Sequence, residues 1–196
     1  DELAVSTTSP LPPGVLDSAY ALQLAAVGGI GPNTWDSTGT LPTGLSISST
    51  GLLSGTPTSS GTFSFTAEVT DSLTTTASAP MNITINPALE ITTTTLPPGN
   101  VDTAYDQTLN ATGGLAPDSW GLASGALPTG LSIEQHTGEI VGTPATVGTF
   151  DFTVEATDSL GTSVTQELSI AIGAAPTPSN LPQTAAQACI AKPTSL

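Results

Sequence analysis

The sequence predicts an all-β chain of two tandem β-sandwich domains, and three observations carry the prediction. Apolar and polar residues alternate: Phe63, Phe65, Ala67 and Val69 interleave with Ser64, Thr66, Glu68 and Thr70, and Phe150, Phe152, Val154 and Ala156 with Asp151, Thr153, Glu155 and Thr157. A strand of that period sets one face on a core and leaves the other in water. Turn residues are abundant, 20 Gly and 17 Pro among 196 residues. They recur roughly every eight to twelve residues, the spacing of short sandwich strands. Finally, the chain repeats itself. Leu11-Pro12-Pro13-Gly14 matches Leu96-Pro97-Pro98-Gly99, Asp17-Ser18-Ala19-Tyr20 matches Asp102-Thr103-Ala104-Tyr105, and Trp35 matches Trp120, all at an offset of 85. One inserted residue places Leu41-Pro42-Thr43-Gly44-Leu45-Ser46-Ile47 against Leu127-Pro128-Thr129-Gly130-Leu131-Ser132-Ile133 at 86. A second, in the turn holding His136, places Gly55-Thr56-Pro57 against Gly142-Thr143-Pro144 at 87. Insertions that spare the apolar phase are expected in turns.

The repeat sets the boundaries: one domain over 1–87, a second over 88–173, and a Pro- and Ala-rich tail or linker over 174–196. In the first domain, strands are expected near Leu3 to Ser6, at Tyr20 to Ala26, around Trp35, at Leu45 to Ser48, at Leu52 to Ser54, over Phe63 to Thr70 and at Met81 to Ile85. The second repeats them at Leu89 to Thr92, Tyr105 to Ala111, around Trp120, Leu131 to Ile133, Glu139 to Val141, Phe150 to Thr157 and Leu168 to Ile172. About seven short strands in some 85 residues bury their apolar faces only by stacking two sheets. Within Leu41 to Ile47, Pro42 sets an extended entry, Gly44 allows a backbone conformation closed to other residues, and Leu45 and Ile47 point to one face. Ile85-Asn86-Pro87-Ala88-Leu89 joins the copies with almost no slack, so the domains are expected end to end, as a rod.

Charge narrows the partners. Lys192 is the only Lys or Arg against 16 Asp and Glu, a net charge of -15. Nucleic acids, whose binding draws on Lys and Arg, are excluded, and an anionic membrane surface repels the chain. Cations and protein surfaces remain. With 37% apolar residues in alternating runs, the acidic chain still folds. No apolar run reaches the roughly 18 residues of a membrane span, and a chain that starts at Asp1 reads as a processed secreted protein or an excerpt of one. Cys189 is the only cysteine, so no disulfide forms within the chain.

Leu127 to Ile133, followed by Thr137-Gly138-Glu139-Ile140-Val141-Gly142-Thr143-Pro144 and Gly148-Thr149-Phe150-Asp151-Phe152-Thr153-Val154-Glu155-Ala156-Thr157-Asp158-Ser159, resembles the immunoglobulin-like repeat of bacterial and archaeal surface proteins, close to the dystroglycan-type cadherin-like domains. The resemblance covers both copies. It implies two immunoglobulin-like, cadherin-like Greek-key sandwiches, secreted or anchored at a cell surface, used as stalks, adhesion units or accessory domains.

The candidate site residues are acids. Glu68 with Asp71, Glu155 with Asp158, and Asp17 and Asp102 recur in both copies, and carboxylates with backbone carbonyls are the donors calcium takes. The competing reading of Asp71 and Asp158 is structural, because an Asp opening a strand-to-strand turn caps it with its own side chain. Glu68 and Asp71, three apart, fall on opposite sides of an ideal strand. His136, the only histidine, sits in a hairpin insertion without the serine and carboxylate of a triad, and the Ser and Thr of the repeated segment have no base beside them. The reading is therefore non-enzymatic. Asn82-Ile83-Thr84 and Asn110-Ala111-Thr112 are formal glycosylation sequons.

Two functions follow. One is an extracellular structural protein acting as cell-surface stalk, adhesion module or subunit of a filament. Its partners would be other proteins, including copies of itself joined through edge strands or the terminal segments. The other is a carbohydrate-binding or other ligand-binding accessory module, for which only Tyr20, Tyr105, Trp35 and Trp120 could form the aromatic platform. Their repetition favours a core role. Trp35→Ala is accordingly expected to cost the first domain about 3–5 kcal/mol in a chemical melt; an unchanged midpoint would remove Trp35 from the core.

Overall fold

In the computed structural model, described over residues 1–176, every regular element is a strand. The first half contributes β1 (Ala4–Val5), β2 (Gly14–Val15), β3 (Tyr20–Gln23), β4 (Ala26–Val27), β5 (Thr34–Gly39), β6 (Leu45–Ile47), β7 (Leu52–Gly55), β8 (Gly61–Thr70) and β9 (Thr76–Asn86). The second contributes β10 (Glu90–Ile91), β11 (Gly99–Asn100), β12 (Tyr105–Thr108), β13 (Ala111–Thr112), β14 (Ser119–Gly125), β15 (Leu131–Ile133), β16 (Glu139–Gly142), β17 (Gly148–Thr157) and β18 (Ser163–Gly173). Most of the expected tail, with Cys189 and Lys192, lies outside the described residues.

Each half is a sandwich of a four-stranded and a three-stranded sheet. The orders are β2-β9-β8-β5 with β3-β7-β6, and β11-β18-β17-β14 with β12-β16-β15; β1 pairs with β4 and β10 with β13. The long hairpins β8–β9 and β17–β18 follow from the alternation, which keeps ten consecutive residues of each strand in phase, Gly61↔Ile85 to Thr70↔Thr76 and Gly148↔Ile172 to Thr157↔Ser163. Their inward residues, Phe65, Ala67, Val69, Met81, Ile83 and Ile85, meet Leu53 of β7 and Trp35 of β5 in the first core. Phe152, Val154, Ala156, Leu168, Ile170 and Ile172 meet Ile140 and Trp120 in the second. Neither core contributes a residue to the other.

Three features depart from the expectation. The single strands expected at Tyr20 to Ala26 and at Tyr105 to Ala111 are each broken in two, β3 and β12 pairing in the three-stranded sheets while β4 and β13 pair with β1 and β10. β2 and β11, where no strand is expected, pair in parallel with the ends of β9 and β18. Val15, 1% exposed, is buried there. The first inserted residue of the second copy also lies not in a turn but within β14: the register steps from Leu122↔Val154 to Ser124↔Thr153, leaving Ala123 as a bulge.

The repeated Leu-Pro-Thr-Gly-Leu segment forms a corner closed by backbone alone. Leu45 N–H donates to Pro42 O at 3.0 Å, and Thr58 N–H to Thr43 O at 2.8 Å. Gly44 stands at φ +94° with its α-carbon facing Thr56 O, while Gly55 faces Gly44 O, so a methyl at either would strike a carbonyl. Gly130 and Gly142 repeat the arrangement. Gly44→Ala is expected to destabilise the first domain by roughly 1–3 kcal/mol from the left-handed backbone alone, with the collision added. Coincidence of the mutant and wild-type melts would contradict the packing.

Candidate functional site

The six candidate carboxylates occupy three kinds of position. Asp17 and Asp102 are exposed left-handed turn residues, φ +60° each, whose N–H groups donate to Pro57 O at 3.0 Å and Pro144 O at 3.1 Å. Glu68 and Glu155 stand on the outward faces of β8 and β17, opposite Asp36 and Gly121 respectively. Directly opposed acids repel, so the Asp36–Glu68 pair disfavours its own strand pairing. Asp71 and Asp158, one residue past the ends of the same strands, are buried at 7% and 5% exposure.

Asp71 is held by two separate loops. Its Oδ1 accepts from Leu73 N–H and Thr75 N–H, both at 2.9 Å, within the β8–β9 turn, and its Oδ2 accepts from Ile30 N–H at 3.2 Å, across the domain's end. Ser72 fastens the same loop by donating its N–H and its hydroxyl to Ile30 O at 2.8 and 2.7 Å. Asp158 is built alike: Leu160 N–H at 3.0 Å and Thr162 N–H at 2.9 Å meet Oδ1, and Leu115 N–H meets Oδ2 at 3.2 Å. Three charge-assisted bonds stabilise each carboxylate and leave little acceptor capacity for a cation. The Thr75 N–H above all, helped by those of Ile30 and Leu73, holds the Asp71 carboxyl below its ordinary range despite the opposing effect of burial.

Beside Asp158 lies an acid that the motifs do not single out. Asp118 occupies the position of Asn33 in the first domain, and the Oδ1 atoms of both are buried without a hydrogen-bond partner among the described residues. Burial first, and the Asp158 charge second, push the Asp118 carboxyl up. The sequence signal was the exchange of an amide for an acid at one repeated position; its burial was not legible there.

Among the described residues, no three His, Cys, Asp or Glu side chains converge where they could hold a metal ion. The structure brings Asp118 near Asp158 but does not gather Glu68 with Asp71, or Asp17 with Asp102, into one such cluster. His136 is exposed in the β15–β16 turn. The aromatic candidates face inward: Trp35 and Trp120 are 8% exposed, Tyr105 is buried, and Tyr20 and Tyr105 donate their hydroxyls to Pro12 O and Pro97 O at 2.9 Å.

Residues 3–86 and 87–173 each match the family model described as "Putative Ig domain". No curated protein matches the chain. Among solved structures, the "I-band fragment I67-I69 from titin" superposes with a TM-score of 0.52 at 11% identity, over 88% of this chain and 66% of that one, a likeness of fold alone. A "putative alpha-galactosidase/melibiase" from Bacteroides fragilis is 29% identical over 43% of this chain and 17% of its own, with a TM-score of 0.38. The protocadherin GammaB4 extracellular domain is 17% identical over 87% and 34%, with a TM-score of 0.37. The chain spans less than two thirds of each of these three.

The two perturbed carboxyls have opposite consequences. One held low when folded adds stability above its ordinary value, and that stability is lost as pH falls through the folded value. Asp71→Asn is therefore expected to lower the first domain's melting temperature at neutral pH, with the gap closing in acid. A carboxyl pushed up adds stability only below its ordinary value and loses it as pH rises through the folded value. Asp118→Asn, which installs the residue of the first domain, is expected to raise the second domain's melting temperature at neutral pH and leave it unchanged in acid. Calorimetry across pH checks both, and a destabilised Asp118→Asn at neutral pH would contradict the assignment.

Proposed function

We propose, because this chain belongs to the Ig-domain family whose model matches both of its halves, that it is a non-enzymatic extracellular structural protein, a spacer of tandem modules serving as stalk, adhesion unit or part of a surface assembly. The observation that carries this reading is the tied tandem. Each half has its own core, and the connection between them is anchored on the second domain: Asn86 Nδ2 donates to Gly114 O at 2.7 Å, and Gly114 N–H donates to Pro87 O at 2.9 Å. A short, anchored connection passes position from one module to the next, as a spacer requires. The charge balance supports an exterior setting, since a chain with one Lys and no Arg offers trypsin-like proteases almost nothing to cut.

A carbohydrate-binding role has less support, because the tryptophans a sugar would stack on are spent in the cores. Antibody labelling of intact and permeabilised source cells tests the proposal. Labelling of intact cells is expected; antigen reached only after permeabilisation would overturn it.

A further inference from the structure

The two domains differ at one edge where their sequences align. In the first, the chain ahead of β2 closes the outer edge of β9: Leu11 N–H donates to Asn82 O at 2.8 Å, and Asn82 N–H donates to Ser9 Oγ at 3.0 Å. Two residues before Asn82, Pro80 offers no N–H at all. In the second domain Leu96 keeps the place of Leu11, but Thr94 replaces Ser9, Ser169 replaces Asn82 and Glu167 replaces Pro80. Among the described residues, neither of the corresponding bonds to Ser169 is made. β17 pairs the inner edge of β18 throughout, whereas β11 covers the outer edge only at Ile172 and Gly173. The register that turns Asn82 outward turns Ser169 and Glu167 outward too, so among the described residues this stretch of β18 is left without ladder hydrogen bonds on its outer edge, with Thr94 to Leu96 across the adjoining cleft.

Beside that edge is a cleft of about 700 Å³ lined by Thr94 to Leu96 together with Ser124, Asp151, Thr153, Glu167 and Ser169; its counterpart in the first domain is about 240 Å³. Two carboxylates and several hydroxyls line it. The occupant that suits an open edge flanked by acids is an extended strand bearing a cation.

We propose that residues 177–196 of a second copy of this chain supply that strand, pairing with β18 at Glu167 and Ser169 and setting Lys192 against Asp151 and Glu167. Lys192 is the only Lys or Arg in the chain, so no other segment of a second copy brings a basic side chain to the acids. About twenty residues reach roughly 60–70 Å when extended, enough to span to a neighbour. Each copy offers one strand and one edge, so association runs head to tail.

Light scattering against concentration tests it on three proteins: the full chain, a chain ending at Pro176, and Glu167→Pro, which places in β18 the residue that β9 already carries at the same register. The full chain is expected to gain mass with concentration while the other two stay monomeric. Amide exchange at Ser169 is expected to be about tenfold slower in the associated full chain than in the truncated one. A full chain that stays monomeric, or a truncated chain that associates equally, would overturn the proposal. Protection of Ser169 in a monomer would place the strand in the same molecule and overturn the role of a second copy. Should Glu167→Pro fail to fold by circular dichroism, the truncated chain and Lys192→Glu decide.

Discussion

Each sandwich is held at one end by a buried carboxylate whose charge is met by backbone N–H groups, in a chain with a single Lys to offer as counterion. Burying an unpaired carboxylate is costly, so the fold must bring donors to it. Asp71 and Asp158 draw them from two loops far apart in sequence, the hairpin turn that each aspartate opens and the loop after β4 or β13. A local turn residue thereby becomes a long-range fastening. In the second domain the fastened loop also presents Gly114 O to Asn86, so the joint between modules rests on the same carboxylate.

The repeated Leu-Pro-Thr-Gly-Leu and Gly-Thr-Pro segments make the second constraint. A stretch occurring twice with several hydroxyls invites a reading as a duplicated reactive site. In the fold, its invariants between the two copies are those of a corner where two backbones touch, with Gly44 against Thr56 O and Gly55 against Gly44 O. The hydroxyls of Thr43 and Ser46 have no base nearby in sequence to activate them. The repeated segment thus serves the fold rather than a reaction.

Legibility followed the reach of each signal. Eight residues of alternation, Phe63 to Thr70 and Phe150 to Thr157, located β8 and β17 and assigned their inward faces. Two-residue strands carry no period, and β2 and β11 hide behind Pro-Pro-Gly. The bulge at Ala123 preserves the apolar phase as well as a lengthened turn would, so alignment of the copies reveals the insertion without its place. The turn-capping bonds of Asp71 to Leu73 and Thr75 are local and readable; the bond from Ile30, forty-one positions away, is not. Asp118 was visible only as an acid replacing Asn33, since its burial and its neighbour Asp158 arise from tertiary packing.

Asp71 and Asp158 are each met by three of the protein's own backbone N–H groups, and a calcium ion is therefore expected to add nothing to the stability of either domain. Scanning calorimetry of the chain in saturating calcium and in excess chelator tests it most directly. Superimposable transitions are expected for both domains. A transition that moves up by several degrees in calcium, with stoichiometric binding heat in titration, would contradict it.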